Sequence, residues 1–144
     1  MIFVGHDWSE AHHDVLVMNE AGGVLGSARL SEGVAGVAGL HTLISRWADD
    51  PAGVVVGTET ERGLFVAAMV SAGYAVFAIN PKAVDRYRDR HRLSGGKSDA
   101  ADAKVLADLV RTDRHRHRPV AADTEGAEAL KVLTRAHKDL IWRR

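Results

Sequence analysis

Residues 54–80 read VVVGTETERGLFVAAMVSAGYAVFAIN, and this stretch decides the fold. The opening run VVVG is continuously apolar and β-branched, which is typical of a central strand that is covered on both faces. A helical pattern follows and ends at Gly73, and YAVFAIN then predicts a second buried strand. A strand, a helix and a strand in this order indicate a sheet with helices packed on its faces.

The segment before this unit predicts an antiparallel meander. Three runs, IFVGHDW, HHDVLVMN and VLGSARL, have strand character, and the turn sequence NEAGG separates the last two. After the unit, Pro81 begins one helix and a second helix begins near Asp99. We therefore predict an α/β fold of the ribonuclease H-like type, with a mixed five-stranded sheet and flanking helices. A coiled-coil-type helix is predicted from about Thr124 to Arg144.

The composition predicts one globular domain with an appendage. The 144 residues are 46% hydrophobic and 26% charged, which are ordinary values for a folded domain. The sequence contains no cysteine, so disulfides and thiolate metal sites are excluded. The apolar runs are too short to span a membrane and the first residues lack a signal-peptide pattern, so we expect a cytoplasmic protein without membrane partners.

The net charge of zero is the sum of an acidic N-terminal segment and a basic segment that follows it. Residues 1–79 hold three basic and nine acidic side chains, whereas residues 80–118 hold eleven basic and six acidic ones. Such asymmetry favours a basic patch that binds a polyanion, although a solvated charged surface is the simpler alternative. The candidate nucleic-acid-binding residues are Arg86, Arg88, Arg90, Arg92, Lys97, Arg114, Arg116 and Arg118.

Four acids stand at predicted element boundaries. Asp7 ends the first strand, Glu59 ends the fourth, and Asp99 and Asp102 share one face at the start of a helix. Because sites gather at the carboxyl ends of parallel strands, these carboxylates are predicted to converge and to bind Mg²⁺ or Mn²⁺. Two such ions can activate an attacking oxygen and stabilise a leaving one on a phosphodiester.

Each of these acids also has a simpler explanation. An aspartate after a strand is commonly a turn residue, and paired aspartates at a helix start complement the helix dipole. Glu61 is an alternative to Glu59 as a ligand. The histidines at positions 6, 12 and 13 suggest zinc, but neighbouring histidines on a strand point to opposite faces, which favours a core or solvent role.

Several segments resemble the N-terminal part of the DEDD transposases of the insertion-sequence 110 family, which includes Piv-like invertases and bridge-RNA-guided recombinases. These segments are VGHDWSEAHHDV, TETERGLFVAAMVSAGYAVFAINPKAVDRYRDRH, SGGKSDAADAKVLADLVRTDRHRHRP and LKVLTRAHKDLIWRR. The resemblance implies a RuvC-like ribonuclease H fold. It also implies that the Asp-Glu-Asp-Asp tetrad, which is catalytic and binds Mg²⁺, falls on Asp7, Glu59, Asp99 and Asp102.

The resemblance also implies a domain organisation and partners. Residues 1–118 are expected to form the catalytic domain, and residues 119–144 a linker and the start of a coiled-coil helix. Family members continue into a domain with a catalytic serine, so we expect this chain to be inactive as a recombinase by itself. DNA, a structured guide RNA and a second copy of the chain, bound through the C-terminal helix, are the expected partners. The stretch Glu61-Arg62-Gly63 departs from the family pattern.

Two other functions are compatible with these patterns. One is a stand-alone RuvC-type junction nuclease, and the other is a non-catalytic module that binds nucleic acid and dimerises. A sugar-kinase-like or actin-like ATPase half has a similar element order. It is disfavoured because the stretch Asp7-Trp8-Ser9 lacks the glycine-rich phosphate loop of such folds.

Overall fold

A computed structural model describes residues 1–9, 11–91 and 99–120, and within them the chain forms one six-stranded sheet. The strands lie side by side in the order β3-β2-β1-β4-β5-β6. Their bounds are β1 (Ile2–Trp8), β2 (His12–Met18), β3 (Val24–Ser31), β4 (Val54–Thr58), β5 (Ala75–Ala78) and β6 (Arg118–Pro119).

In the part of the chain that the structure describes, four α-helices connect or flank these strands. Pro81 occupies the first turn of α3, and the Asn80 side chain caps that helix by accepting a hydrogen bond from the Lys82 N–H at 2.9 Å. None of the helices in the described ranges has the length and apolarity that crossing a lipid bilayer requires. The helix bounds are α1 (Val34–Ser45), α2 (Leu64–Ser71), α3 (Pro81–Arg90) and α4 (Asp99–Asp113).

The sheet is mixed, as the sequence predicts. Strands β1, β4 and β5 are parallel neighbours, whereas β1–β2, β2–β3 and β5–β6 pair antiparallel. The predicted α/β fold is therefore confirmed. The sheet has one strand more than predicted, because Arg118 and Pro119 pair with Ala78 and Phe77 at the sheet edge. A proline is tolerated there because an edge strand need not donate every hydrogen bond.

The core lies on both faces of the sheet. Val4 and Val56 point to one face, where they pack with α1 and α2, and Phe3 and Val55 point to the other, where they pack with α3 and α4. All four side chains are nearly or completely buried. The continuously apolar run of β4 is thus explained by helices on both sides of it.

Two paired glycines allow α4 to lie directly on the sheet. Gly5 of β1 is the register partner of Gly57 of β4. A Cβ atom on Gly5 would overlap the backbone carbonyl oxygen of Ala103, and one on Gly57 would lie 2.7 Å from the carbonyl oxygen of Leu106. Glycine at both positions therefore sets the distance between α4 and the two central strands.

The direction of α4 across the sheet follows from contacts at its C-terminal end. Arg111 donates a hydrogen bond from Nη1 to the carbonyl oxygen of Glu20 at 3.5 Å, and Glu20 pairs with the amino group of Met1. The C-terminal end of α4 thus lies where β1 begins, and its N-terminal end lies where β1 ends. From Ala103, Asp99 is one helical turn, about 6 Å, further toward that edge. From Gly5, Asp7 is about 7 Å further along β1 in the same direction.

Candidate active site

Two of the predicted acids line one open cleft at the carboxyl ends of the central strands. Asp7 is near the end of β1 and Glu59 immediately follows β4, and the parallel register pairs the preceding residues His6 and Thr58. The cleft has a volume of about 420 Å³, which is room for several groups the size of a water molecule, at about 30 Å³ each. We call it the acidic cleft, and its lining is Asp7, Trp8, Thr58, Glu59, Thr60, Glu61 and Arg62.

The alternative acid, Glu61, lines the same cleft but has a different setting. Its carboxylate forms an ion pair with Arg118 on the edge strand β6. Glu59 is nearer the end of β4 and thus nearer to the strand that carries Asp7. The preference for Glu59 over Glu61 as a ligand therefore remains the better prediction.

Asp102 lies on α4 and faces α3 through Arg88. The two side chains form an ion pair, and each is only about one-sixth exposed or less (16% and 14%). The Asp102 atom in this pair is Oδ1, which is buried, and its negative charge faces the Arg88 guanidinium. A metal ion at Asp102 would therefore have to compete with Arg88 for this oxygen.

The four predicted ligands thus have different surroundings, and they are not all described in the same detail. Asp7 and Glu59 share the acidic cleft, Asp102 contacts Arg88, and Asp99 begins α4 at the same edge of the sheet, with its side chain outside the described set. Among the side chains that the structure describes, no three histidine or acidic residues converge closely enough to hold a metal ion. A complete tetrad therefore remains a prediction.

A groove with basic side chains adjoins the acidic cleft. Its first part is shared with the cleft through Glu59 and Glu61 and continues along residues 78–81 and 116–118. Its second part lies between α3 and α4, where Tyr87 donates a hydrogen bond to Asp108 at 2.5 Å. We call the two parts the basic groove. Its basic lining residues are Arg86, Arg90, Arg116, His117 and Arg118, and its lining also includes Tyr87 and the acids Glu59, Glu61 and Asp113.

The remaining predicted nucleic-acid-binding residues have other settings. Arg88 is directed at Asp102, and the Arg114 guanidinium lies 5.6 Å from the centre of the Phe3 ring. Arg88 is thus largely buried in its ion pair, whereas Arg114 is partly exposed. Arg92 and Lys97 lie outside the described residues.

A buried hydrogen-bonded chain behind the cleft is the feature that the sequence alone did not reveal. It joins Thr58, His6, His13 and Glu32, and His6 is almost fully buried. Burial, followed by the charge of nearby His13, lowers the pKa of His6 to about 3, so its ring is neutral at neutral pH. The sequence signal was the pair His6 and His13. The register of β1 with β2 places them as diagonal neighbours, His6 opposite Val15 and His13 opposite Trp8, and their rings meet through a hydrogen bond.

The comparison with protein families agrees with this geometry. A family model described as Transposase, that of the DEDD transposases of the IS110 type, matches residues 4–144. The chain belongs to this family. The resemblance drawn from the sequence motifs is therefore confirmed.

Individual members of the transposase family are similar over nearly the whole chain. The "Mini-circle putative transposase for IS117" of Streptomyces coelicolor is 48% identical over 99% of this chain, which covers 35% of that protein. The "Putative transposase y4uE" of Sinorhizobium fredii is 31% identical over 96% of this chain and 39% of its own length. The chain thus spans less than half the length of these relatives.

A solved structure supports the fold of this transposase-family chain. The structure described as "T. thermophilus RuvC in complex with Holliday junction substrate" matches with a TM-score of 0.54 at 15% sequence identity. The match covers 83% of this chain and 99% of that one. The predicted RuvC-like ribonuclease H fold is therefore confirmed.

Proposed function

We propose that this chain is the metal-binding catalytic domain of a DNA transposase or recombinase that acts on DNA phosphodiesters. One observation supports this function most directly. Asp7 and Glu59 line the end of a cleft that continues into a groove with arginine side chains. Acidic groups that attract a cation thus lie beside basic groups that attract a phosphate backbone. Membership of the transposase family and the RuvC-like fold support the same proposal.

Asp7, Glu59, Asp99 and Asp102 would hold the metal. Carboxylate oxygens are hard ligands, which suit Mg²⁺ or Mn²⁺. When bound, such ions supply an activated oxygen nucleophile and stabilise a leaving oxygen on phosphorus. The contribution of the chain itself is to hold Asp7 and Glu59 at the ends of two adjacent strands, and to hold α4, the helix that carries Asp102, directly against the sheet.

The basic groove would hold the nucleic-acid backbone. Arg86, Arg90 and Arg116 line it, and their guanidinium groups match phosphate geometry well. Phosphate contacts of this kind fix the register of a duplex without reading its sequence. We therefore propose binding with little sequence preference by this domain alone.

The other proposed partners are a structured guide RNA and a second copy of the chain. Both follow from the family resemblance, and the second also follows from the coiled-coil-type helix predicted at about 124–144. That segment, and with it the proposed division at residue 118 or 119, extends outside the described residues. The recombination reaction of the whole protein is proposed to need the serine-bearing domain of longer family members.

The metal site is tested by its effect on stability. At a free Mn²⁺ concentration about 100 times Kd, we expect the wild-type chain to gain about 2.7 kcal/mol in free energy of unfolding. The variants Asp7→Asn and Glu59→Gln should lose most of this gain, because each removes a charged ligand. Thermal unfolding with and without Mn²⁺ measures the difference.

The matched control for this experiment is Glu20→Gln. Glu20 is 72% exposed and pairs with the Met1 amino group at the opposite edge of the sheet. Its substitution removes the same charge without touching the cleft, so the response to Mn²⁺ should be that of the wild type. Equal stabilisation of wild type and Asp7→Asn by Mn²⁺ would contradict the proposed metal site.

A further inference from the structure

Behind the acidic cleft, four polar side chains form a continuous hydrogen-bonded chain across the sheet. Thr58 Oγ1 lies 3.0 Å from His6 Nδ1, His6 Nε2 lies 2.7 Å from His13 Nδ1, and His13 Nε2 lies 2.5 Å from Glu32 Oε2. The side chains of Thr58, His6 and His13 are almost fully buried. Glu32 is half exposed and joins the chain to the surface.

The acceptor at one end gives this chain a direction. A carboxylate can only accept, so the Nε2–H group of His13 donates to Glu32; when His13 is a neutral ring, its Nδ1 atom is then an acceptor. His6 then donates from Nε2–H to that acceptor, and its own Nδ1 atom accepts the hydroxyl hydrogen of Thr58. Glu32 thereby determines the tautomer of both rings and the orientation of a hydroxyl on the far side of β1.

Aromatic packing keeps both rings in place. Phe65 of α2 stacks on His13 with ring centroids 3.7 Å apart and planes within 6°. The same ring lies 5.6 Å from His6, with planes within 7°. Neither imidazole can rotate without disturbing this stack, so the hydrogen bonds hold one geometry.

The chain ends at the turn that contains Glu59. With its hydrogen committed to His6, the Thr58 hydroxyl oxygen accepts the backbone N–H of Thr60 at 3.4 Å. Thr60 then organises the rest of the turn, since its Oγ1 accepts the Arg62 N–H at 3.2 Å. This hydrogen bond links Thr58 to Thr60, and Glu59 is the residue between them.

We propose that the hydrogen-bonded chain from Glu32 through His13 and His6 to Thr58 positions the turn that presents Glu59 to the acidic cleft. These four are positioning residues, because they act on Glu59 through the turn. The importance of that position for metal binding rests on the proposed function. The hydrogen-bonded chain itself can be tested without metal.

The first test needs no metal and uses nuclear magnetic resonance of the 144-residue chain. In the wild type, both rings should be Nε2–H tautomers in long-range ¹H–¹⁵N spectra, and the Thr60 amide should exchange slowly. Glu32→Ala removes the acceptor, so mixed tautomers and faster Thr60 exchange are expected. Glu32→Gln keeps an acceptor oxygen and should restore the wild-type pattern. An Nδ1–H tautomer of His6 in the wild type would overturn the proposal.

The second test measures Mn²⁺ affinity by titration calorimetry. Thr58→Val keeps the shape but removes the hydroxyl, and we expect a 10- to 100-fold higher Kd, the range that loss of a partner behind a metal ligand causes. Thr58→Ser keeps the hydroxyl and should stay within about twofold of the wild type. Equal affinities for the Val and Ser variants would show that the hydroxyl does not position Glu59.

The two tests separate the possible failures. If the wild type binds no Mn²⁺, the proposed metal site fails, and the tautomers and the Thr60 exchange rate still decide the positioning role. If Thr58→Val does not fold, the Glu32→Ala and Glu32→Gln pair decides, because Glu32 is half exposed and outside the core.

Discussion

Replacing Gly5 with alanine is expected to lower the free energy of unfolding by about 3 kcal/mol or more. Two effects oppose each other at this position. Alanine reduces the entropy of the unfolded chain, which stabilises the fold by about 0.4–1 kcal/mol. The new Cβ atom, however, would overlap the carbonyl oxygen of Ala103, and backbone cannot move aside as the end of a side chain can. The steric effect is therefore larger, and urea unfolding followed by tryptophan fluorescence measures the net change.

The matched control is Gly53→Ala. Gly53 ends a short 3-10 turn before β4, and no atom lies within 4 Å of the position where its Cβ would be. This substitution should change the free energy of unfolding by less than about 0.5 kcal/mol, as most surface substitutions do. If Gly5→Ala were as stable as Gly53→Ala, α4 would not be held at the distance described above.

The second large effect is expected from charge reversal in the basic groove. A variant with Arg86→Glu, Arg90→Glu and Arg116→Glu should bind duplex DNA on the order of 100-fold more weakly or worse at low salt. Each phosphate contact that is lost also lowers the slope of log Kobs against log salt by about 0.9, so the slope should fall by nearly three. Binding isotherms at several salt concentrations measure both quantities.

Two choices make this experiment specific. Arg88 is left unchanged, because a glutamate there would face Asp102 and would disturb the packing of α3 on α4. Arg46→Glu is the single-reversal control, since Arg46 is exposed at the end of α1, away from the groove. The single reversal Arg90→Glu should weaken DNA binding more than Arg46→Glu does. Equal losses of affinity would show that binding depends on the net charge of the chain and not on the basic groove.

Most of the fold could be predicted because its signals are local. The apolar run at residues 54–56, the helix that ends before Gly73 and the strand after it define the parallel part of the sheet. Strand β6 was missed because it consists of two residues, one of them a proline. Its pairing with Phe77 and Ala78 is a tertiary contact without a sequence pattern of its own.

The candidate site was only partly predictable for a related reason. The sequence places Asp7 and Glu59 at strand ends, and a parallel register is enough to bring them to one edge. The ion pair of Asp102 with Arg88 depends on how α3 crosses α4, and the link between His6 and His13 depends on the register of β1 with β2. Neither relation can be read from spacing along the chain.

The edge strand β6 also determines where the following part of the chain starts. Val120 donates its N–H to the carbonyl oxygen of Val76 at 2.8 Å, and it lines a small cleft together with Glu61, Arg118 and Pro119. Because β6 runs antiparallel to β5, Val120 lies beside Val76 and thus further from the carboxyl edge of the sheet than Arg118 does. The pairing of β6 with β5 thus brings both ends of the segment between them, residues 79–117, to one edge of the sheet, and α3 and α4 lie within that segment. Fixing both ends of the segment reduces the number of conformations open to it, which pre-organises the basic groove that it lines.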